Sequence, residues 1–334
     1  MSDVPAAERP TPTGWRELLP EAVPAAGAVP WLAAEAIDHL GDPDGERVAL
    51  LAGGPALVPR LAAGHLRIVG ADRLAFVHGL VSHDVVGLRD GEAVDALLLD
   101  HRGAPQAAMT VHRRPADLFV AVDDGGGAGV AAVLREHVVF DQVEVQDMGS
   151  RLASLTLVGD AATLAAACEA AWRGAGGAVA DALARPKDGR RAAATVATGE
   201  TTAALLRPRP WGSAWSLDVH VLERDLPGAV QAWTGLGVRP VGERAWTAAR
   251  VAHGVASAYA EGGLGLPQET GLEGRVSYRK GCYLGQEIMA RVEARGRLRR
   301  GLGRLRLAGP PPGLGRARAW RVEDAAGRGV GAMG

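Results

Sequence analysis

Two residue types are nearly missing from this chain of 334 residues: it has two cysteines, Cys168 and Cys282, and two lysines, Lys187 and Lys280. Two cysteines cannot build the disulfide framework of a small secreted protein, and their separation matches no zinc-binding spacing. No uncharged apolar run reaches the roughly 20 residues needed to cross a bilayer, so no membrane partner is expected. The N-terminus, MSDVPAAERPTPTGW, carries Asp3 and Glu8 and no continuous apolar core, and does not read as a signal peptide. A formal net charge of -1 sets up no global field that demands a nucleic acid. HExxH, GxSxG and Walker patterns are also missing. These absences leave a reducing cytoplasm as the expected setting, with a monomer as the expected state.

What the chain does contain is length enough for two or three packed units. Its 47% hydrophobic content suits a globular protein, but alanine richness blurs helical faces, and 46 glycines and 20 prolines punctuate the pattern. Residues 1–45 read as an extension, with short helices near Trp15 and Trp31. Leu66–Val69 is a strand followed by Gly70, Asp72 and a helical pattern through Leu74, Phe76 and Val77. The same design recurs at Leu155–Val158, Gly159, Asp160 and a helix through Leu164 and Cys168. Glycine permits the turn and aspartate can satisfy free amide donors at a helix start. The repetition predicts related βα units in an α+β protein, with no phosphate-binding glycine fingerprint after either strand. Further strands are expected at 94–99, 109–112 and 118–122, then a helix ending near His137. Residues 174–214 read as a boundary or a long excursion, giving two subdomains split near 150–215. Leu217, Val219 and Val221 alternate with Asp218 and His220 as in a strand, and helices are expected over 226–234 and 243–253.

The chemistry concentrates in KGCYLGQE, residues 280–287. Lys280 stands two residues from Cys282, and a cation brought close stabilises a thiolate. Gly281 and Gly285 permit a tight loop and close ligand approach. Tyr283 offers a stacking surface or ordinary packing, Gln286 can donate and accept, and Glu287 can act in the site or cap a helix beginning around Ile288. Cys168, in an Ala-rich helix, reads as buried and structural. Cations including Arg275, Lys280, Arg291, Arg295, Arg297, Arg299, Arg300, Arg304 and Arg306 face only Glu287 and Glu293, a pattern suited to an anion or to solvated faces. His78, His83 and Asp84 can be drawn as a metal site or an acid/base pair, but their spacing is unspecific and no stably bound metal is expected. His253 lies on the approach to the cysteine loop.

KGCYLGQE resembles the signature of the YgfZ-like folate-binding proteins, relatives of the aminomethyltransferase (T-protein) of the glycine cleavage system. FVHGLVSHDV, LLLDHRGAPQAAMTV, DVHVL with GVRPVGERAWTAARVAHG, and LPQETGL agree with it, over about residues 50–334. The resemblance implies an aminomethyltransferase-like α+β body around a central cavity over 46–290, a short β-barrel-like domain over 291–334, and tetrahydrofolate or a derivative as ligand. It gives Cys282 the functional role, with Lys280, Gly281, Tyr283, Gly285, Gln286 and Glu287 around it. Asp84, Arg250, His253, Arg291 and Arg295 become folate or anion contacts. The implied role is accessory: support of iron–sulfur client proteins, with an indirect link to tRNA modification.

Two departures qualify this. The hairpin stretch Gly103–Ala107 lacks the carboxylate that aminomethyltransferases place there, so glycine-cleavage chemistry is not expected. The run after the signature is short for a barrel; GRLRRGLGRLRL is its expected opening strand and GRGVGAMG a late one. Folate-dependent one-carbon transfer or demethylation of a non-glycine substrate is the enzymatic alternative. RNA binding through residues 291–306 ranks last, because no aromatic platform interleaves the arginines.

Overall fold

The computed structural model describes residues 15, 18–24, 36–123, 126–184, 191–198, 201–258, 265–296, 298, 300–304, 320–323 and 329–333. The chain divides into two units, Met1–Leu302 and Gly303–Gly334.

The first unit is built on two six-stranded sheets. A short ribbon, β1 (Val23–Pro24) with β2 (Ile37–His39), precedes them. In order, the first sheet contains β10 (Arg191–Ala192), β5 (Glu92–Leu99), β6 (Pro105–Arg113), β7 (Leu118–Val122), β4 (Gly64–Val69) and β8 (Glu144–Asp147). The second contains β11 (Ala194–Thr198), β12 (Thr201–Trp211), β13 (Ala214–Leu222), β9 (Leu152–Gly159), β3 (Ala56–Pro59) and β14 (Arg239–Pro240). All pairings are antiparallel except β3 with β14. The stretch 174–214 therefore supplies edge strands to both sheets, and the chain crosses between the sheets several times.

Alternation along the strands decides what each face meets. On the first sheet, Leu66, Ile68, Val94, Ala96, Leu98, Val111 and Val120 pack on helices α2 (Arg73–Leu80) and α3 (Gly127–Glu136) through Phe76, Val77, Val130 and Leu134. On the second, Leu155, Leu157, Leu206, Leu217, Val219 and Val221 pack on α4 (Ala161–Ala171), α5 (Ala175–Ala184) and α6 (Leu226–Gly235). Helices α1 (Pro43–Leu51) and α7 (Glu243–His253) pack together at the β3 edge around Leu50, Val58 and Ala249. The residues between those apolar positions, Asp95, Thr110 and His112 on one sheet and Ser154, Thr156, Arg207, Arg209, Asp218 and His220 on the other, meet across the gap.

The two βα units expected from the repeat are present, one in each sheet, but their aspartates differ. Asp160 is an N-cap, its Oδ1 accepting from the Thr163 amide at 2.7 Å. Asp72 makes no side-chain cap; its Oδ2 accepts from the Gln142 amide at 2.7 Å and ties the α2 entry to the loop before β8. Cys168 is fully buried in α4, where burial pushes its thiol up to about 12, as its structural reading requires.

The second unit contains one antiparallel pair, β15 (Trp320–Glu323) with β16 (Gly329–Met333). The late strand falls where GRGVGAMG predicted it. The opening strand does not: residues 298 and 300–304 are coil, and 305–307 lie outside the described residues. Among the described residues no closed barrel forms.

Candidate functional site

The signature segment folds as a turn leading into α8 (Gln286–Arg295). Gly285 takes a left-handed φ of +81°, and a Cβ there would stand 2.5 Å from the Asp100 carbonyl oxygen. Only glycine allows so close an approach to the β5–β6 turn. Gln286 Oε1 accepts from the Tyr283 amide at 3.2 Å, so it secures the turn. Glu287 is exposed and makes no side-chain cap to α8, which begins at Gln286 rather than Ile288. Tyr283 is buried against Leu97, Leu99, Ala108 and Met289, and burial pushes its phenol up to about 12. It is a packing residue, not a stacking platform.

Lys280 has an anchoring role. Its Nζ donates to the carbonyl oxygens of His78 and of Val81, the latter at 2.7 Å, at the C-terminal end of α2. A cation suits that end of a helix, where carbonyls are left over. The ammonium also lies 4.8 Å over the Tyr283 ring. Burial lowers its pKa to about 8, with Asp84 and Cys282 pulling the other way. Cys282 is exposed, and Gly281 beside it faces open space. Asp84 accepts from the Gly87 amide at 2.9 Å and lies 3.3 Å from His78 Nδ1. His78, whose pKa is lowered by burial and then by Lys280, completes this corner. No group of three metal-ligating side chains exists among the described residues.

A separate cavity of about 120 Å³ opens between the sheets, and none of Lys280, Cys282 or Asp84 lines it. Its walls come from β6, β7, β9, β12, β13, the face of α7 that carries Trp246 and Arg250, and residues 255–258. Asp95 lies behind the wall, 3.1 Å from Arg207 Nη2 and 3.0 Å from Arg209 Nη2. Burial works to raise the Asp95 carboxyl, but Arg207, Arg209 and Arg275 outweigh it and hold it well below the usual range. Arg209 also pairs with Asp218, and Thr156 Oγ1 donates to Asp218 at 2.8 Å. Arg275 pairs with Asp123 at 2.7 Å. At the α7 side, Trp211 and Trp246 stack with centroids 4.3 Å apart, Arg60 lies 5.2 Å over Trp246, and Arg250 completes the wall.

Of the residues singled out in the sequence, Arg250 and Arg275 reach the cavity; His253 packs 5.1 Å from Trp211. Arg291 is exposed on α8, and the Arg295 side chain, Arg297, Arg299 and Arg306 lie outside the described residues. Arg300 is engaged by Glu269 at 3.1 Å. The residues missed are Asp95, Arg207, Arg209, Asp218, Asp123 and the two tryptophans. Their signal was there in β12 and β13, where Arg207 and Arg209 alternate with prolines and Asp218 with Leu217 and Val219. The first pair falls in the stretch expected to be a boundary or long excursion, and the alternation in β13 marks a strand without saying what its polar face meets. The hairpin indeed lacks a carboxylate over 103–107, and the Asp100 side chain before it accepts from the Arg102 and Ala104 amides at 2.8 Å.

No family model matches this sequence, and no curated protein matches it either. Solved structures do. The glycine cleavage system aminomethyltransferase T from Bartonella henselae superposes with a TM-score of 0.71 at 14% identity, over 98% of this chain and 85% of that one. The chain has the aminomethyltransferase T fold. A slighter likeness, TM-score 0.34 at 16% identity, links 57% of this chain to 90% of a chain of the heterotetrameric sarcosine oxidase from Corynebacterium sp. U-96.

Proposed function

We propose that the inter-sheet cavity binds tetrahydrofolate or a derivative, and that the protein serves as a folate-dependent accessory factor for iron–sulfur proteins. The observation that carries the folate reading is the cavity itself, in a chain of the aminomethyltransferase T fold. Its residues suit such a ligand: hydroxyl, imidazole and carboxylate groups on β9 and β13 for a polar ring edge, stacked indoles at one wall, and Arg60 and Arg250 for an anionic tail. Bound folate would supply a one-carbon unit or a redox-active pterin; the chain's own groups orient it and exclude water.

The accessory role, with client proteins that include tRNA-modifying enzymes, rests on Cys282. Its thiol is exposed and stands off the cavity wall, where it is open to a partner. Folate-dependent one-carbon transfer to a non-glycine substrate is the second reading, favoured by the carboxylates Asp123 and Asp218 at the wall. Both are held in ion pairs with arginine, so each carboxylate is already engaged within the protein.

The test is anaerobic calorimetric titration of tetrahydrofolate into the wild type, Cys282→Ser and Trp246→Ala, each checked for folding. Saturable binding by wild type and Cys282→Ser, weakened in Trp246→Ala, is expected. Methylene-tetrahydrofolate should bind without losing its one-carbon unit; consumption with a supplied amine would establish the transferase reading instead. A folded wild type that binds no tetrahydrofolate form overturns the proposal.

A further inference from the structure

One end of the cavity floor has a construction that the folate reading does not itself require. Ser154 on β9 and His220 on β13 are cross-strand partners, and both line the cavity. Ser154 Oγ lies 2.7 Å from His220 Nδ1 and 2.6 Å from Nε2 of His65 on β4, in the opposite sheet. All three side chains are buried. A hydroxyl has one proton, so Ser154 donates to one imidazole while accepting from the other. His220 Nδ1 is thereby committed within the protein, and its ring is held further by Phe119, 5.5 Å away, and by His112, 6.0 Å away. Nε2 is the ring nitrogen left for a guest. Burial, then the neighbouring His65 and His112, keep the imidazole uncharged far below neutral pH.

The row along the inner face of β13 is graded. His220 is followed two residues on by Asp218 and then by Ser216, and the strand ends beside Trp211. At about 3.3 Å per residue, His220 and Ser216 stand roughly 13 Å apart. The His220 end is neutral; the indoles and Arg250 lie away from it, and Arg60, whose amide donates to the Ser154 carbonyl, reaches over Trp246 with its guanidinium paired to Glu243 at 3.0 Å. An elongated ligand with a neutral hydrogen-bonding ring and an anionic tail has one favourable direction in such a cavity.

We propose that His220 contacts the ring edge of the cavity's ligand through Nε2, with Ser154 and His65 as positioning residues that set its tautomer and orientation. When Nδ1 accepts from Ser154, Nε2 is a donor; when Nδ1 donates, Nε2 is an acceptor. The pair Ser154–His65 thus decides whether the cavity favours a carbonyl or an N–H on the ring. The inference rests on the folate reading of the cavity.

The probes are 5-formyltetrahydrofolate, the tail-less 6-methyltetrahydropterin and the ring-less p-aminobenzoylglutamate, titrated into the full chain by calorimetry or saturation-transfer NMR. His220→Phe keeps the ring shape beside Phe119 and removes the hydrogen bond. It should weaken both ring-bearing probes roughly tenfold and leave p-aminobenzoylglutamate unchanged. His220→Gln, which keeps a neutral polar end, should stay within about threefold of wild type. Ser154→Ala should shift ring affinity in the same sense as His220→Phe, and Ser154→Thr should restore it. If His220→Phe fails to fold, the His220→Gln and Ser154 variants decide. A wild type that binds no probe sinks the folate reading and this inference together. A wild type that binds, with ring affinity unmoved in every folded variant, overturns this inference alone, as does equal loss of the ring and tail fragments.

Discussion

The outer and inner faces of the two sheets are made of different material. Outside, each sheet lays aliphatic side chains on its own helices; inside, the sheets meet through aspartates, arginines, histidines and hydroxyls. Most two-sheet sandwiches do the opposite and bury apolar faces against each other. Here the helices relieve the middle layer of supplying the core. Burial of the outer faces drives folding, and the inner layer can carry charge, hold a cavity and remain polar, provided every charge has a partner.

The strongest way to break this comparison is to remove one charge from the inner layer and one side chain from an outer face. Asp95 is shared by Arg207 and Arg209, and Arg207 is almost fully buried. Asp95→Ala should destabilise by about 3–5 kcal/mol, because it removes the carboxylate shared by two guanidiniums, one of them almost fully buried. Leu157→Ala, in the outer core of the second sheet, should cost about 2–5 kcal/mol through a cavity. The two losses have comparable size but different remedies. Adding Arg207→Leu to Asp95→Leu should recover a large part of the first, while no charge change rescues the second. Urea unfolding of the four proteins measures this; a loss below about 1 kcal/mol for Asp95→Ala would mean that the layer is not electrostatically coupled.

A smaller effect separates the faces by pH. His112 is buried on the inner face, and neither ring nitrogen has a hydrogen-bond partner among the described residues. Burial, then Arg207, lowers its pKa from 6.5 to about 3. A folded pKa below the unfolded one means that the unfolded chain binds the proton more readily. The contribution is therefore complete above about pH 6.5 and is lost as pH falls toward 3. His112→Phe removes the titration and two unpaired polar atoms. It should match or slightly exceed wild-type stability at pH 7.5 and gain about 2 kcal/mol on it near pH 4.5. Parallel stability–pH curves for the two proteins would refute this account of the inner layer.

Much of the frame was legible in the chain: the βα repeat, the alternation in β13, the α6 and α7 helices and the signature turn all follow from local patterns. The cavity was not, for a physical reason. Alternation reports that a strand has two unlike faces, but not whether the polar face meets water or a second sheet. Asp218 and His220 mark β13 as a strand, but only the fold places both at the cavity. The signature shows the same limit from the other side. Its residues left Tyr283 open between stacking and packing, and only the fold shows Lys280 anchoring α2, Tyr283 filling a core and Gln286 fastening a turn, with Cys282 exposed.

The signature segment also shows where the contrast between faces ends, and this gives the smallest of the predicted effects. At Leu97, Leu99 and Ala108 the inner face of the first sheet turns apolar, and Tyr283 and Met289 cover it. That cover can close only if the chain passes against the β5–β6 turn, and Gly285 is the point of passage. Gly285→Ala must accept a left-handed backbone and a Cβ 2.5 Å from the Asp100 carbonyl oxygen, next to Leu99 at 3.0 Å. A loss of about 1–2 kcal/mol is expected, from the backbone alone at minimum. Gly281, four residues earlier, meets nothing within 4 Å and does not have a positive φ. Gly281→Ala should therefore change stability by less than about 0.5 kcal/mol. Thermal unfolding of the two variants makes the distinction. Equal losses would show that the whole segment is held as one rigid loop, whereas a loss confined to Gly285 fixes its anchor on the sheet and leaves the Gly281–Cys282 end free to meet a partner.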